Sequence, residues 1–329
     1  MGYASVKIHY SAPDNAWKAE WIARHLDSGV VATYGYDEYD SRFGWRLRPN
    51  LRDFRSGGQP AVISNSKGMR DGREFSFQKQ NGMRRMVVLG DSFTFGQGVE
   101  QDEAWPAHLQ MSLPKWEVLN MAVHGYGTDQ QLLMLKHEGV KYHPDVVIVG
   151  FFVENVYRNG LAFRDFAKPM FVLENGALRL TNTPVPSPEA VLAETRGERP
   201  LSFAAHFFSR RFGRAYGSET LGPTSGDDYL LRLTRSILDE MHAAASDNSA
   251  RLMVVAIPYS SFSPSLKIEG SLAEWADGCG VPTLNLRESL DRAQQETGEP
   301  MYDSHFTARG HEVAAEAVLR KLQQLGWAP

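Results

Sequence analysis

The chain has 329 residues, 42% of them hydrophobic and 22% charged, ordinary values for a globular protein with a sizeable core. A net charge of −4 leaves no basic surplus to neutralise phosphates, which argues against a nucleic-acid partner. One cysteine, Cys279, excludes an internal disulfide and a cysteine-based metal cluster, and no apolar run approaches the ~20 residues of a membrane helix.

In chain order, residues 17–26 read as a short amphipathic helix capped by Asp14 or Asn15. Residues 34–82 are rich in Tyr, Gly, Arg and Pro and keep no helical period. Residues 43–50 and 61–64 within them read as short strands broken by turns. We take 1–82 as an extension packed on a main domain spanning 83–329, with Asn65, Gly68, Arg70 and Asp71 forming a structural turn ahead of it.

Met86, Val87, Val88 and Leu89 form the short apolar run of a buried parallel strand, which breaks at once into Gly90-Asp91-Ser92. In open α/β sheets that carboxyl edge is where ligands bind. Gly96-Gln97-Gly98 follows, but without a third glycine or a Gly-Lys-Ser/Thr it does not specify a nucleotide site. A helix over 102–112, with Trp105-Pro106 in its first turn, precedes a second strand at 117–120. That strand releases into a loop where Gly125 has the backbone freedom a donor loop needs, and His124 reads as a wall residue.

A helix over 130–141 comes next, and His137 and His143 lack carboxylates at ligand spacing, so no metal site is expected. Residues 145–152 are the clearest buried strand and end on Glu154-Asn155. Ser92, Gly125 and Asn155 thus converge on one edge of the sheet. Residues 160–228 interrupt the rhythm with a β-hairpin at 168–180 around Asn175-Gly176, a Pro-rich piece, and a basic aromatic stretch at 203–216. That stretch reads as a lid, a partner surface, an anionic-substrate patch or a plain surface helix, and an insertion of this length is often functional. A helix at 228–245, a strand at 252–257, a helix at 271–278, a strand at 283–286 and a last helix at about 308–325, ending at Gly326, complete the chain. Five strands with helices between them call for an α/β fold: a parallel sheet covered on both faces.

Asp303-Ser304-His305 stands just before the last helix, whose N-cap is Thr307. In an extended loop, side chains two apart point to one side. A general base needs one ring nitrogen facing the nucleophile and a carboxylate holding the ring from behind.

Four segments, Gly90-Asp91-Ser92-Phe93, Asn120-Met121-Ala122-Val123-His124-Gly125, Gly150-Phe151-Phe152-Val153-Glu154-Asn155 and Asp303-Ser304-His305, resemble the ordered blocks of the SGNH (GDSL) hydrolases over about residues 83–329. The resemblance implies a three-layer αβα sandwich with a five-stranded parallel, flavodoxin-like sheet. It implies a Ser92 nucleophile, a His305 base and an Asp303 orienting carboxylate. An oxyanion hole would come from the N–H groups of Ser92 and Gly125 and the Asn155 amide, with no cofactor and no metal. Two features depart from the usual blocks: Val156 follows Asn155 where Asp is common, and Asp-x-His replaces Asp-x-x-His. The latter spacing also occurs in relatives of the alginate O-acetyltransferases.

The expected function is hydrolysis of small acyl esters, O-acetyl groups of a glycan or metabolite among them. The alternatives are an O-acyltransferase using the same acyl-enzyme, and a catalytically inactive carbohydrate-binding module. The N-terminus lacks the apolar core of a secretory signal, so the sequence reads as soluble and cytoplasmic as it stands. It would be periplasmic or membrane-tethered if an anchor precedes it, as in many similar bacterial proteins. Oligomeric state is left open.

Overall fold

The computed structural model describes residues 26–27, 30–31, 35–56, 58–197, 226–259 and 265–329. Five strands form one sheet: β1 (Arg84–Leu89), β2 (Trp116–Asn120), β3 (Val146–Phe152), β4 (Arg251–Ile257) and β5 (Thr283–Asn285). Their spatial order is β5-β4-β3-β1-β2, and every pairing is parallel. All seven residues of β3 are buried, as a central strand covered on both faces requires.

Six helices cover the sheet: α1 (Trp105–Ser112), α2 (Thr128–His137), α3 (Asp227–Asp247), α4 (Ser265–Cys279), α5 (Arg287–Thr297) and α6 (Ala308–Gln324). The crossover from β1 to β2 runs opposite to the three that follow. Right-handed crossovers therefore send α1 to one face and α2, α3 and α4 to the other. The contacts agree: α1 packs on α6, and α3 packs on both α2 and α4. The chain reverses between β1 and β3, and the loops after those two strands carry Ser92 and Asn155. The strand order thus opens its ligand crevice where these residues stand.

Several boundaries differ from expectation. Helix α2 starts at Thr128, with Gly127 as cap, and its expected last turn is a separate 3-10 turn over Gly139–Tyr142. Helix α4 starts at Ser265, six residues early. Helix α5 was not anticipated, because only Leu290 and Ala293 of its eleven residues are buried, too few apolar positions for its helical period to stand out.

In the extension, Asp37–Asp40 pairs with Gly44–Leu47, whereas 61–64 yields only the isolated bridge Phe54–Val62. Leu26 belongs to a two-residue strand paired with Val30–Val31, not to a helix, and residues 17–25 lie outside the described residues. Phe43 and Trp45 join the main core, and the Trp45 indole N–H donates to His124 O at 2.8 Å. The hairpin Met170–Glu174 with Ala177–Thr181 turns at Asn175 (φ 53°) and Gly176 (φ 82°), both in the left-handed region its two-residue turn demands. The stretch 203–216 lies outside the described residues. Among the described residues no helix is long and apolar enough to cross a membrane.

Candidate active site

Strand β1 delivers its chain to a one-turn helix, Ser92–Phe95, capped by Asp91, whose side chain accepts from Phe93 N. A Cβ on Gly90 or on Gly150 of β3 would overlap Thr94, so both glycines let this turn lie against the sheet. Ser92 stands at the first helical position, where the backbone N–H has no intrahelical acceptor. Arg70 supports the turn from behind. It is 1% exposed, donates to the carbonyls of Phe95, Gly96 and Val99, and faces the Phe95 ring. Burial pulls its pKa down to about 10. Arg70 thus steadies the turn that begins at Ser92 through the carbonyls at its far end.

The last helix fixes the other half. Thr307 caps α6 by accepting from Gly310 N at 3.1 Å, and the preceding His305–Phe306 pairs antiparallel with Tyr302–Asp303. This brings His305 Nε2 to 2.8 Å from Ser92 Oγ, across 213 residues of sequence. Phe93 packs on the imidazole, ring centroids 5.0 Å apart, and Phe152, Tyr302 and Phe306 pack on Phe93 in turn. Burial first, then the charges of Arg158 and Arg164, lower the His305 pKa to about 4.

Asp303 is not where the spacing argument put it. It is exposed, and no hydrogen bond joins it to His305. The two residues oppose each other across the tight turn at Ser304 (φ 60°), and the carboxylate stays in water. Moving it onto a neutral imidazole would desolvate a charge for a weak partner, so the solvated position wins while the ring is uncharged.

Gly125 (φ 78°) closes the third side. Its left-handed backbone is what demands glycine, since a Cβ there would meet only the movable ends of the Arg164 and Asp165 side chains, at 2.6 and 2.9 Å. Among the described residues no group accepts from the N–H of Gly125 or of Ser92. Asn155 is fully buried: its Oδ1 accepts from Arg158 Nη1 at 3.1 Å, and its Nδ2 has no partner. His124 is buried as a wall, its pKa pushed well down mainly by burial.

Sequence reasoning missed Arg158, which donates to Asp91 Oδ2 at 2.7 Å, and Arg164 beside Gly125. Nothing in their local sequence marks them: the contacts that tie Arg158 to the Ser92 turn and to the Gly125 loop run to Asp91 and Tyr126, 67 and 32 residues away.

A doubly wound parallel sheet with a serine–imidazole contact at its switch point defines the class of α/β hydrolytic enzymes. The sequence from residue 88 to 313, more than half the chain, matches the model of the GDSL-like lipase/acylhydrolase family. The chain belongs to that family, within the SGNH hydrolase superfamily, and is a hydrolase of the ester-cleaving type. Among solved structures it is similar to a lipolytic protein of the G-D-S-L family from Desulfitobacterium hafniense (15% identity, 72% of this chain and 99% of that one, TM-score 0.46). It is also similar to esterase EstA from Pseudoalteromonas sp. (11% identity, 74% and 98%, TM-score 0.42) and to a GDSL-like lipase from Bacteroides thetaiotaomicron (14%, 74% and 89%, TM-score 0.41). No curated protein matches the sequence.

A pH profile tests the buried imidazole directly. A general base at His305, the role proposed below, must be neutral to accept a proton, so protonation on the acid side would remove it. With its pKa held at about 4, kcat/KM is expected to stay flat from neutral pH to about pH 5 and to fall below that. An acid limb at pH 6–7 would show that a carboxylate already sits on the ring in the free enzyme, since such a partner raises a histidine pKa.

Proposed function

We propose that the chain is a serine esterase acting on small acyl esters, including O-acetyl groups. Ser92 attacks the acyl carbonyl while His305 Nε2 takes its proton. The tetrahedral oxyanion is held by the N–H groups of Ser92 and Gly125 and by Asn155 Nδ2. His305 then hands the proton to the leaving alcohol, and water, activated by the same imidazole, releases the acid from the acyl-enzyme. The observation that supports this reading most is the 2.8 Å approach of Ser92 Oγ and His305 Nε2, with the buried, unpartnered Asn155 amide N–H₂ tied to the same turn through Arg158 and Asp91. Ser92 is 3% exposed, which suits a small acyl group.

Asp303 enters this scheme as the third member of the triad once charge develops. The imidazolium attracts a carboxylate far more strongly than the neutral ring does, and Asp303 faces it across the Ser304 turn. Asp303→Asn is therefore expected to lower kcat by about 10²-fold or more, the range seen when a base loses its orienting carboxylate. The acid limb of kcat/KM, which reports the free enzyme, should stay in place. A loss under about threefold would reduce the machinery to Ser92 and His305.

The assignment is tested with a series of p-nitrophenyl esters of increasing chain length and with O-acetylated glycans, with and without acceptor alcohols, following the acyl group by mass spectrometry. Acyl recovered as free acid supports the esterase. Acyl recovered on the alcohol, with little free acid, would make the enzyme an O-acyltransferase.

A further inference from the structure

We propose that Arg158 is the positioning residue of this site, joining the loops that carry Ser92, Gly125 and Asn155 and deciding which end of the Asn155 amide faces the serine. The inference rests on the esterase reading above.

One guanidinium nitrogen reaches all three loops, its two N–H groups shared among three acceptors. Arg158 Nη1 donates to Asp91 Oδ2 at 2.7 Å, to Asn155 Oδ1 at 3.1 Å and to Tyr126 O at 3.2 Å. Asp91 is the cap of the Ser92 turn, its other oxygen accepting from Phe93 N at 3.1 Å. Tyr126 follows Gly125 directly. Asn155 precedes Arg158 by three residues on the one-turn helix Asn155–Arg158, so the two side chains share a face.

The chemistry of the donor decides the amide. A guanidinium carries five N–H donors and no acceptor, so only the oxygen of Asn155 can face it. The amide nitrogen is thereby turned away from Arg158, and it is this buried nitrogen that lacks a partner. Among the described residues no other hydrogen bond holds the Asn155 amide, so without the cation it could turn and offer a lone pair to the oxyanion. Arg158 also lies over the Phe152 ring at 5.2 Å, which seats it at the end of β3. Its side chain is 4% exposed and that of Asp91 0%, so the pair is buried and its geometry is held.

Arg158 acts on the base as well, through its charge. His305 contacts Ser92, feels the charges of Arg158 and Arg164, is coupled electrostatically to the buried imidazoles of His124 and His311, and lies opposite the exposed Asp303 in the strand pairing. Both cations are paired, Arg164 with Asp165 and Arg158 with Asp91 and, at 3.9 Å, Glu154, and both still act on the imidazole through their charge. Removing the Arg158 charge relaxes one of the two cationic influences that keep the imidazole neutral.

The test is a double-mutant cycle read by steady-state kinetics on an activated acetyl ester, with thermal melting and fluorophosphonate labelling of Ser92 to report folding. Arg158→Gln is expected to lower kcat about 10²-fold with KM changed by less than about threefold, and to move the acid limb upward in pH. Arg158→Lys keeps the charge and one donor head, so the limb should stay and the loss shrink to about fivefold. In an Asn155→Ala background each substitution should lower kcat by a smaller factor than it does alone, because the amide it orients is gone and only its hold on Asp91 and Tyr126 remains.

Losses that multiply fully with Asn155→Ala, or a folded Arg158→Gln enzyme with unchanged kcat, would overturn the inference. Should Arg158→Gln fail to fold, the lysine variant carries the cycle alone: no loss, or a loss that persists undiminished without Asn155, overturns it equally. Full activity in Ser92→Ala would instead sink the esterase reading, a result distinct from a serine-dependent enzyme that is indifferent to Arg158.

Discussion

Ser92→Ala is expected to lower kcat by about 10⁴–10⁶-fold, the loss seen when a serine hydrolase loses its nucleophile. Stability should barely change, because the Ser92 hydroxyl makes one side-chain hydrogen bond, to His305, and the turn is held instead by the Asp91 cap and Arg70. His305→Ala should lose a comparable factor. The double variant should be no worse than either single one, since nucleophile and base act as one unit. Ester turnover and fluorophosphonate labelling check this together, with thermal melting as the control. A folded Ser92→Ala protein retaining more than about 1% of turnover would place the reacting atom elsewhere.

Asn155→Ala carries the second large effect. Removing one oxyanion donor typically lowers turnover about 10²–10³-fold, and here the donor is a buried nitrogen with no other acceptor. Arg158 keeps its bonds to Asp91 and to the Tyr126 carbonyl, so the loop should stay in place. KM should hold while kcat falls, and a boronate that mimics the tetrahedral adduct should weaken in step with kcat/KM. Asn155→Asp should be at least as damaging, because it sets a carboxylate where negative charge accumulates. A loss under about tenfold for Asn155→Ala would shift the donor role to Glu154 or another group.

Much of the site lies at strand ends, and strand ends are legible. Met86–Leu89 and the run ending at Phe152 are too apolar to be anything but covered strands, and a glycine, a serine or an asparagine directly after such a run marks the carboxyl edge. Thr307 as the cap of α6 was legible for the same reason: the interaction spans three residues. Helix α5 was missed because its stability comes from neighbours. Arg287, its first residue, is paired with Glu269 of α4, a link that no local periodicity contains.

Asp303 shows where spacing alone misleads. Two residues of separation make a pair possible, but whether the carboxylate leaves water depends on the charge of the ring and the turn at Ser304. The pKa of His305 is likewise a property of its surroundings. Phe93 comes from the first third of the chain and Arg158 from its middle, and only folding sets them against a histidine near the C-terminus.

The sequence by itself determined the α/β architecture, the strand ends on which Ser92, Gly125 and Asn155 sit, and the imidazole that meets them, because hydrophobic period, glycine placement and capping act over a few residues. The tertiary structure alone decided the Ser92–His305 contact distance, the solvated position of Asp303 and the hold of Arg158 on three loops. Those are settled by burial and by electrostatics between groups far apart in the chain, which act only once the sheet has brought them together.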